Sequence, residues 1–305
     1  MAFYTFLPHR GLMTVKGIDR FNFLQGLISN DMRKVEAGEV VWAALLSPQG
    51  KFLHDFFIFS MKDVIYLDCE YDRRDDLLAL LLRYKLRAKV TLDTKCILET
   101  GVAWGNSVDV ALRLPRITNA PSAIQGGFIY RDPRLPAAGL RWALPKDTAK
   151  KTLGESGLIA SEPQIFDLHR FSLGLPDGSR DMEIEKALLL ENGFEELHGI
   201  DFQKGCYMGQ ELTARTHYRA LIKKRLMPVT IDGPAPLPGT PLKADGIDAG
   251  EMKSSQNGHG LALVRLAVWR KAIDGVLDAG GTKIKPFIPE WMNLPNDNKN
   301  DAAQT

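Results

Sequence analysis

Apolar side chains near the start of the chain follow two different periods. Phe23, Leu24, Leu27 and Ile28 stand three and four apart, which predicts a helix capped by Asp19 and running to about residue 30. "VVWAALL" (40–46), "FLHDFFIFS" (52–60) and "VIYLDC" (64–69) are short apolar runs rich in β-branched and aromatic residues, and they predict strands. Pro48 and Gly50 in "SPQGK" supply the bend between the first two. A further helix is predicted from Asp72, with Leu77, Leu80, Leu81 and Tyr84 as its buried stripe. Such mixing belongs to an α+β or α/β lobe, placed over residues 1–93. Within "FLHDFFIF", strict alternation puts Leu53, Asp55 and Phe57 on one face. Asp55 then either lies inward, where a partner or a ligand's N–H groups must offset its burial, or marks a sheet edge facing water.

The pattern weakens between about 94 and 165, where "APSAIQGG" and "RDPRLPAAG" punctuate a looser set of strands and loops. A helical segment from Ile165 leads to "LGLPDG" and on to a cysteine motif, giving a middle lobe over 94–225. After Arg225, "PVTIDGPAPLPGTPLKADGIDAGEM" and "GLALVRL" have the Pro/Gly spacing of short strands, and a small antiparallel barrel or sandwich is predicted over 226–290. The last residues, 291–305, are polar and predict a disordered tail.

Length agrees with this division, because 305 residues exceed one ordinary core. A net charge of +2 is too small to imply a nucleic-acid coat or a membrane surface, so any electrostatic partner site must be local. No run reaches the roughly 18 apolar residues of a membrane helix, and the first residues lack the features of a secretory signal. A cytoplasmic protein with no membrane partner is expected. Cys69, Cys96 and Cys206 are odd in number and far apart, which argues against a disulfide framework and against a self-contained metal site. No stably bound metal is expected.

The densest chemistry lies in "DFQKGCYMGQELTARTH" (201–217). Cys206 stands between Gly205 and Gly209, with Lys204 before it and Arg215, Arg219, Lys223, Lys224 and Arg225 after it. Cationic neighbours favour a thiolate, and the glycines permit a loop that presents one side chain. The alternative is a small buried hydrophobe in a tight turn. No spacing marks His54, His198 or His217 as a partner base, so a hydrolytic cysteine enzyme is not predicted. A single thiolate can hold an iron–sulfur cluster only transiently or jointly with another protein. The cations of "RTHYRALIKKR" (215–225) suit a phosphate, a polyglutamate tail or RNA, or form a solvated face leading into a strand.

"FNFLQGLISNDM" (21–32), "SPQGKFLHDF" (47–56) and "KGCYMGQELTAR" (204–215) together resemble the folate-binding YgfZ family, relatives of the glycine-cleavage T protein, in the branch that includes mitochondrial iron–sulfur assembly factors. The resemblance covers nearly the whole chain to about residue 290. It implies an α+β fold: a three-lobed ring of two α/β lobes and a C-terminal antiparallel β-barrel, with a tetrahydrofolate pocket at the centre. It implies a role in building or repairing clusters in client or scaffold proteins, some of them tRNA-modifying, with folate-dependent aminomethyl transfer as the alternative. By the same resemblance Cys206 does the cluster work. Asp55, Asn30, Asp31, Lys204, Tyr207, Gln210, Glu211 and Arg215 are the candidate folate-site residues. Two departures stand out: "RFSLGLPDG" (170–178) replaces the T-protein stretch whose glutamate holds the pterin, and His54 stands where T proteins tend to carry a second aspartate.

Overall fold

The computed structural model describes residues 1–106, 108–112, 119–219 and 222–295. Two compact units are woven from non-consecutive segments. The first comprises Met1–Leu46, Leu53–Phe166 and His198–Met208; the second comprises Ser47–Phe52, Asp167–Leu197 and the chain from Gly209 onward. This division cuts across the lobes 1–93, 94–225 and 226–290 that sequence order suggests. Residues 296–305, most of the expected tail 291–305, lie outside the described residues.

The first unit contains, in chain order, β1 (Ala2–Phe6), β2 (Arg10–Lys16), α1 (Arg20–Gln25), α2 (Met32–Glu36), β3 (Val41–Leu46), β4 (Phe52–Met61), β5 (Val64–Glu70) and α3 (Arg74–Lys85). There follow β6 (Thr91–Asp93), β7 (Leu98–Gly105), α4 (Val108–Ala111), β8 (Ser122–Ile124), β9 (Gly127–Arg131), β10 (Leu140–Pro145), α5 (Lys146–Glu155) and β11 (Ile159–Ala160). Five strands make one sheet in the order β3-β4-β5-β2-β6, and six make another in the order β11-β1-β7-β10-β9-β8. The N-terminal strand therefore belongs to the sheet of the later residues.

Helix α1 is shorter than the apolar spacing predicts. Asp19 makes no side-chain cap; its carboxylate accepts the Lys89 N–H at 2.7 Å instead. Past Gly26 the chain crosses to β3, where Ile28 bridges Leu45 and the Ser29 N–H meets the Ala44 carbonyl at 2.9 Å. Strand pairing wins over the last helical turn, and Phe23, Leu24, Leu27 and Ile28 are buried all the same.

Strand β4 is buried on both faces over its first eight residues. Phe56 and Ile58 pack with Leu24, Leu77 and Leu81 of the helices. Phe57 and Phe59 face the other way, toward Tyr130, with ring centroids 6.4 and 4.8 Å from it. His54 alternates with Phe56 on the helix side, buried, and its Nε2 has no hydrogen-bond partner. Burial, with the Arg73 charge adding to it, pulls the imidazole down to about 3 from an ordinary 6.5. Between those values the unfolded chain holds the extra proton, so His54 erodes stability as pH falls from 6.5 toward 3. Going from pH 7 to pH 4.5 is expected to cost about 2–3 kcal/mol through this group. Urea titrations at stepped pH should show a flatter dependence for His54→Leu; an unchanged slope would place the acid sensitivity elsewhere.

The second unit takes most of α6 (Pro163–Leu173), then α7 (Gln210–Tyr218) and β12 (Lys224–Asp232), β13 (Pro241–Ala244), β14 (Ile247–Gln256) and β15 (His259–Arg265). It ends with α8 (Leu266–Trp269), β16 (Leu277–Ala279) and β17 (Thr282–Pro286). Strands β12-β15-β14-β13-β16-β17 close into a barrel. Met227, Val229, Met252, Ala262, Val264, Leu277 and Ile284 fill it, in keeping with the antiparallel barrel predicted from the turn spacing.

Candidate functional site

The cysteine motif is a loop strapped to another loop. Residues 198–208 run along residues 25–31, and seven polar contacts join the two stretches. Ser29 Oγ donates to the Gly199 carbonyl at 2.6 Å, and Asn30 Nδ2 to the His198 carbonyl at 2.7 Å. The Asp201 N–H reaches the Ser29 carbonyl at 3.0 Å, and the Met208 N–H reaches that of Gly26 at 3.1 Å. Gln25 Nε2 donates to the Lys204 carbonyl at 3.2 Å. Lys204 Nζ donates to the carbonyls of Gln25 and Ile28, each at 2.6 Å. Gly205, between the Lys204 and Met208 anchors, and Gly209, just past them, hold φ of +93° and +77°, the left-handed region that glycine accepts without strain. At Gly205 a β-carbon would meet nothing within 4 Å, so the backbone angle rather than space calls for glycine there. Cys206 comes out of this loop exposed, with a free thiol. The exposed position removes the alternative of a small buried hydrophobe.

The structure changes the roles of several neighbours. Lys204, read as a cation beside the thiol, turns inward. Its ammonium is buried on the two carbonyls at the end of α1 and lies 5.1 Å from the Tyr207 ring centre. Burial pulls Lys204 down to about 8, against the pull of the Asp31 and Asp201 carboxylates. Asn30 also bonds the Trp42 carbonyl at 2.8 Å, and its own oxygen takes the Asp31 N–H at 2.8 Å. Asp31 caps α2 through the Arg33 N–H and also accepts from Gln25 Nε2. Burial opposes its ionisation, but the bonds from Arg33 and Gln25 prevail and hold it at about 2. Asn30 and Lys204 thus brace the cysteine loop directly, and Asp31 does so through Gln25. Ser29 and Gln25 share that work; Ser29, in the same "SND" stretch, and Gln25 carried no separate signal in the sequence.

Asp55 lies inward, 2% exposed, which settles the choice against a water-facing edge. It accepts the Trp42 indole N–H at 2.9 Å, and Arg10 Nη1 is 3.8 Å from its other oxygen. Because the Trp42 carbonyl also bonds Asn30, one tryptophan connects Asp55 to the brace of the cysteine loop. Asp55 opens onto a buried charge network that sequence reasoning missed. Asp68 accepts from Arg10 Nε at 3.0 Å, Tyr130 Oη at 2.8 Å and Arg141 Nη1 at 2.9 Å. Asp132 takes a two-pronged contact from Arg134 at 2.9 and 2.7 Å and a third bond from Arg141 at 3.2 Å. The guanidiniums surround the Phe57 ring, Arg141 at 3.8 Å and Arg134 at 4.9 Å from its centre. Burial works against ionised Asp68 and Asp132, yet the arginines hold both carboxyls below their ordinary range. The available signal was charge inside apolar strands, as in "VIYLDCE" and "LRWALP".

As a receptacle for a pterin, the set fits in part. Asp55 is a buried carboxylate of the right chemistry. The polar atoms of Asn30, Asp31 and Lys204 are committed within the protein, and Tyr207 is buried. The other nominated residues, Gln210, Glu211 and Arg215, sit on α7 in the second unit, Glu211 and Arg215 exposed. The basic run 215–225 also needs correction. Arg225 is buried, bonded to the Leu190 carbonyl and to Glu196, so it is no nucleic-acid contact. Arg215, Arg219 and Lys223 remain exposed, and residues 220–221 lie outside the described residues. Among the described residues no group of three His, Cys, Asp or Glu converges to hold a metal ion.

Comparison with known proteins defines the class first. The chain matches the crystal structure of glycine cleavage system aminomethyltransferase T from Bartonella henselae with a TM-score of 0.76 at 16% identity, over 95% of this chain and 86% of that one. Residues 223–294 match the family "CAF17, C-terminal beta-barrel domain". The fold is that of the T-type aminomethyltransferases, α+β lobes with a closed six-stranded barrel. The human protein named iron-sulfur cluster assembly factor IBA57, mitochondrial, is 30% identical over 308 residues, covering 93% of this chain and 84% of its own length. The mouse protein of the same name is 31% identical over 314 residues, with shares of 93% and 84%. A Mycosarcoma maydis homolog is 33% identical over 253 residues, and the chain spans only 58% of that relative's length. The chain belongs to the IBA57 family of iron–sulfur cluster assembly factors.

Proposed function

We propose that this protein is a folate-binding accessory factor for the assembly or repair of iron–sulfur clusters in client proteins, tRNA-modifying enzymes among them, working in a reducing, cytoplasmic setting. The observation that carries the reading is the exposed Cys206 thiol on a loop braced from both ends. A thiol held in place and open to solvent can give one ligand to a cluster whose other ligands a partner supplies, and the cluster is then cargo rather than a resident group. The family membership and the K-G-C-Y-x-G-Q-E motif support the same reading, the motif through its YgfZ resemblance. Free thiols at Cys69, Cys96 and Cys206 support a reducing compartment.

Cys206→Ser carries the test. In cells lacking the chromosomal copy, wild type should restore the activity and cluster content of an iron–sulfur client, and Cys206→Ser should not. Full rescue by the serine variant would end the accessory reading and leave aminomethyl transfer, in which the thiol is dispensable.

Folate is the second half of the proposal, with Asp55 as its contact. A bound tetrahydrofolate would bring its pterin N–H groups to that carboxylate, and Trp42 would have to yield the bond it now makes. Calorimetric titration of tetrahydrofolate should show binding to wild type, weakened by about 1–3 kcal/mol in Asp55→Asn. Equal affinities would remove Asp55 from the site; no binding to wild type would remove the folate.

A further inference from the structure

One end of the five-stranded sheet concentrates charge that the whole-chain value of +2 conceals. Lys16, the last residue of β2, pairs with Val64 on one side and Thr91 on the other. The turn after β2, the β4–β5 turn and the segment between α3 and β6 therefore meet at this end. They are also joined directly. The Asp19 carboxylate accepts the Lys89 N–H at 2.7 Å. Gly17, at φ +116°, lies so close to the Lys89 carbonyl that a β-carbon there would stand 2.0 Å from it.

Two aliphatic side chains project from these tips, Ile18 at 78% and Leu86 at 88% exposure. Leu86 also holds φ +42°, a strained conformation for a residue with a β-carbon. Packing of its side chain does not offset that strain, because so little of it touches the protein. The exposed charges around the two are Lys16, Lys62, Arg87 and Lys89 against Asp63. Asp63 in turn is 3.8 Å from Arg20.

We propose that this end of the first unit docks on an anionic lipid surface. Projecting aliphatic side chains can enter the boundary between headgroups and acyl chains while the surrounding cations meet headgroup phosphates. A folded acidic partner would need a preformed pocket for each projecting side chain, whereas a fluid bilayer yields one wherever they land. The expectation of no membrane partner rested on the charge of the whole chain and on the lack of an apolar run long enough to span a bilayer; a surface contact needs no such run, and the structure shows where charge is gathered. The proposal does not depend on the cluster-assembly reading.

Flotation of the full-length protein with vesicles tests it, using phosphatidylcholine alone and phosphatidylcholine with phosphatidylglycerol. The protein should float only with the anionic vesicles, and less as salt is raised. The double variant Ile18→Ser/Leu86→Gly should bind at least about ten-fold more weakly. Its thermal midpoint should stay level or rise, because glycine accepts φ +42° freely, so weaker binding would not reflect lost folding. Absence of binding to anionic vesicles, equal binding to neutral ones, or binding untouched by the double variant would each overturn the proposal. Capture of soluble polyglutamate without vesicle binding would also overturn it and assign the surface to an acidic protein.

Discussion

Asp68→Ala is expected to lower the stability of the first unit by about 3–5 kcal/mol, the range for removing one partner of a buried ion pair. The reason is geometric. Asp68 is the common acceptor for Arg10, Arg141 and the Tyr130 hydroxyl, and all of them are buried with it. Without the carboxylate, two guanidiniums are left in an apolar layer around Phe57 with less compensating charge. Asp63→Ala is the matched control, because that side chain is fully exposed and should cost no more than about 0.5 kcal/mol. Urea unfolding of both variants checks the prediction; a cost for Asp68→Ala near that of the control would mean the network is not intact in solution. The pH sign follows from the lowered Asp68 value: its contribution is complete above the ordinary 3.8 and is lost only as pH falls below it. Acid loss near pH 5 therefore belongs to His54, and below about pH 4 the loss of the carboxylates adds to it.

Arg225→Met should produce a loss of similar size in the second unit, about 3–5 kcal/mol. Arg225 reaches Glu196 and the Leu190 carbonyl from a buried position in β12 and lies 5.9 Å from the Trp291 ring centre. Removing it strands a carboxylate and a carbonyl together. The exposed Lys223, two residues away, serves as the comparison: Lys223→Gln should change stability by at most about 0.5 kcal/mol. Thermal unfolding of the two variants separates the structural role of Arg225 from a surface role for the run 215–225. If Arg225→Met were as stable as Lys223→Gln, the ion pair would carry no weight and Arg225 would return to the surface reading.

Much of the local structure was legible without coordinates. The three strands from residue 40 to 70, the helix bearing Leu77 and Leu81 and the barrel after Arg225 all follow from apolar period and turn residues, because those signals lie within one element. Gly205 and Gly209 were recognisable as backbone requirements for the same reason, and both hold positive φ. The direction of Lys204 was not. A lysine two residues from a cysteine looks like its electrostatic partner until the carbonyls of Gln25 and Ile28, 179 and 176 residues away, claim the ammonium. The end of α1 was misjudged on similar grounds, since the competitor for residues past Gly26 is a strand.

The sequence by itself determined the three strands between residues 40 and 70, the helix after Asp72 and the barrel after Arg225, that a cysteine loop shaped by glycine exists, and which family the motif resembles. Only the tertiary structure decided that Cys206 is exposed, that Asn30, Asp31 and Lys204 brace its loop, and that Asp55 leads into a buried net of aspartates and arginines. The physical reason is range. Side-chain period and backbone preference act over a few residues and are written in order along the chain. A buried charge is tolerable only beside its counter-charge, and Arg10, Asp68, Asp132 and Arg141 meet because two sheets pack, not because of their spacing.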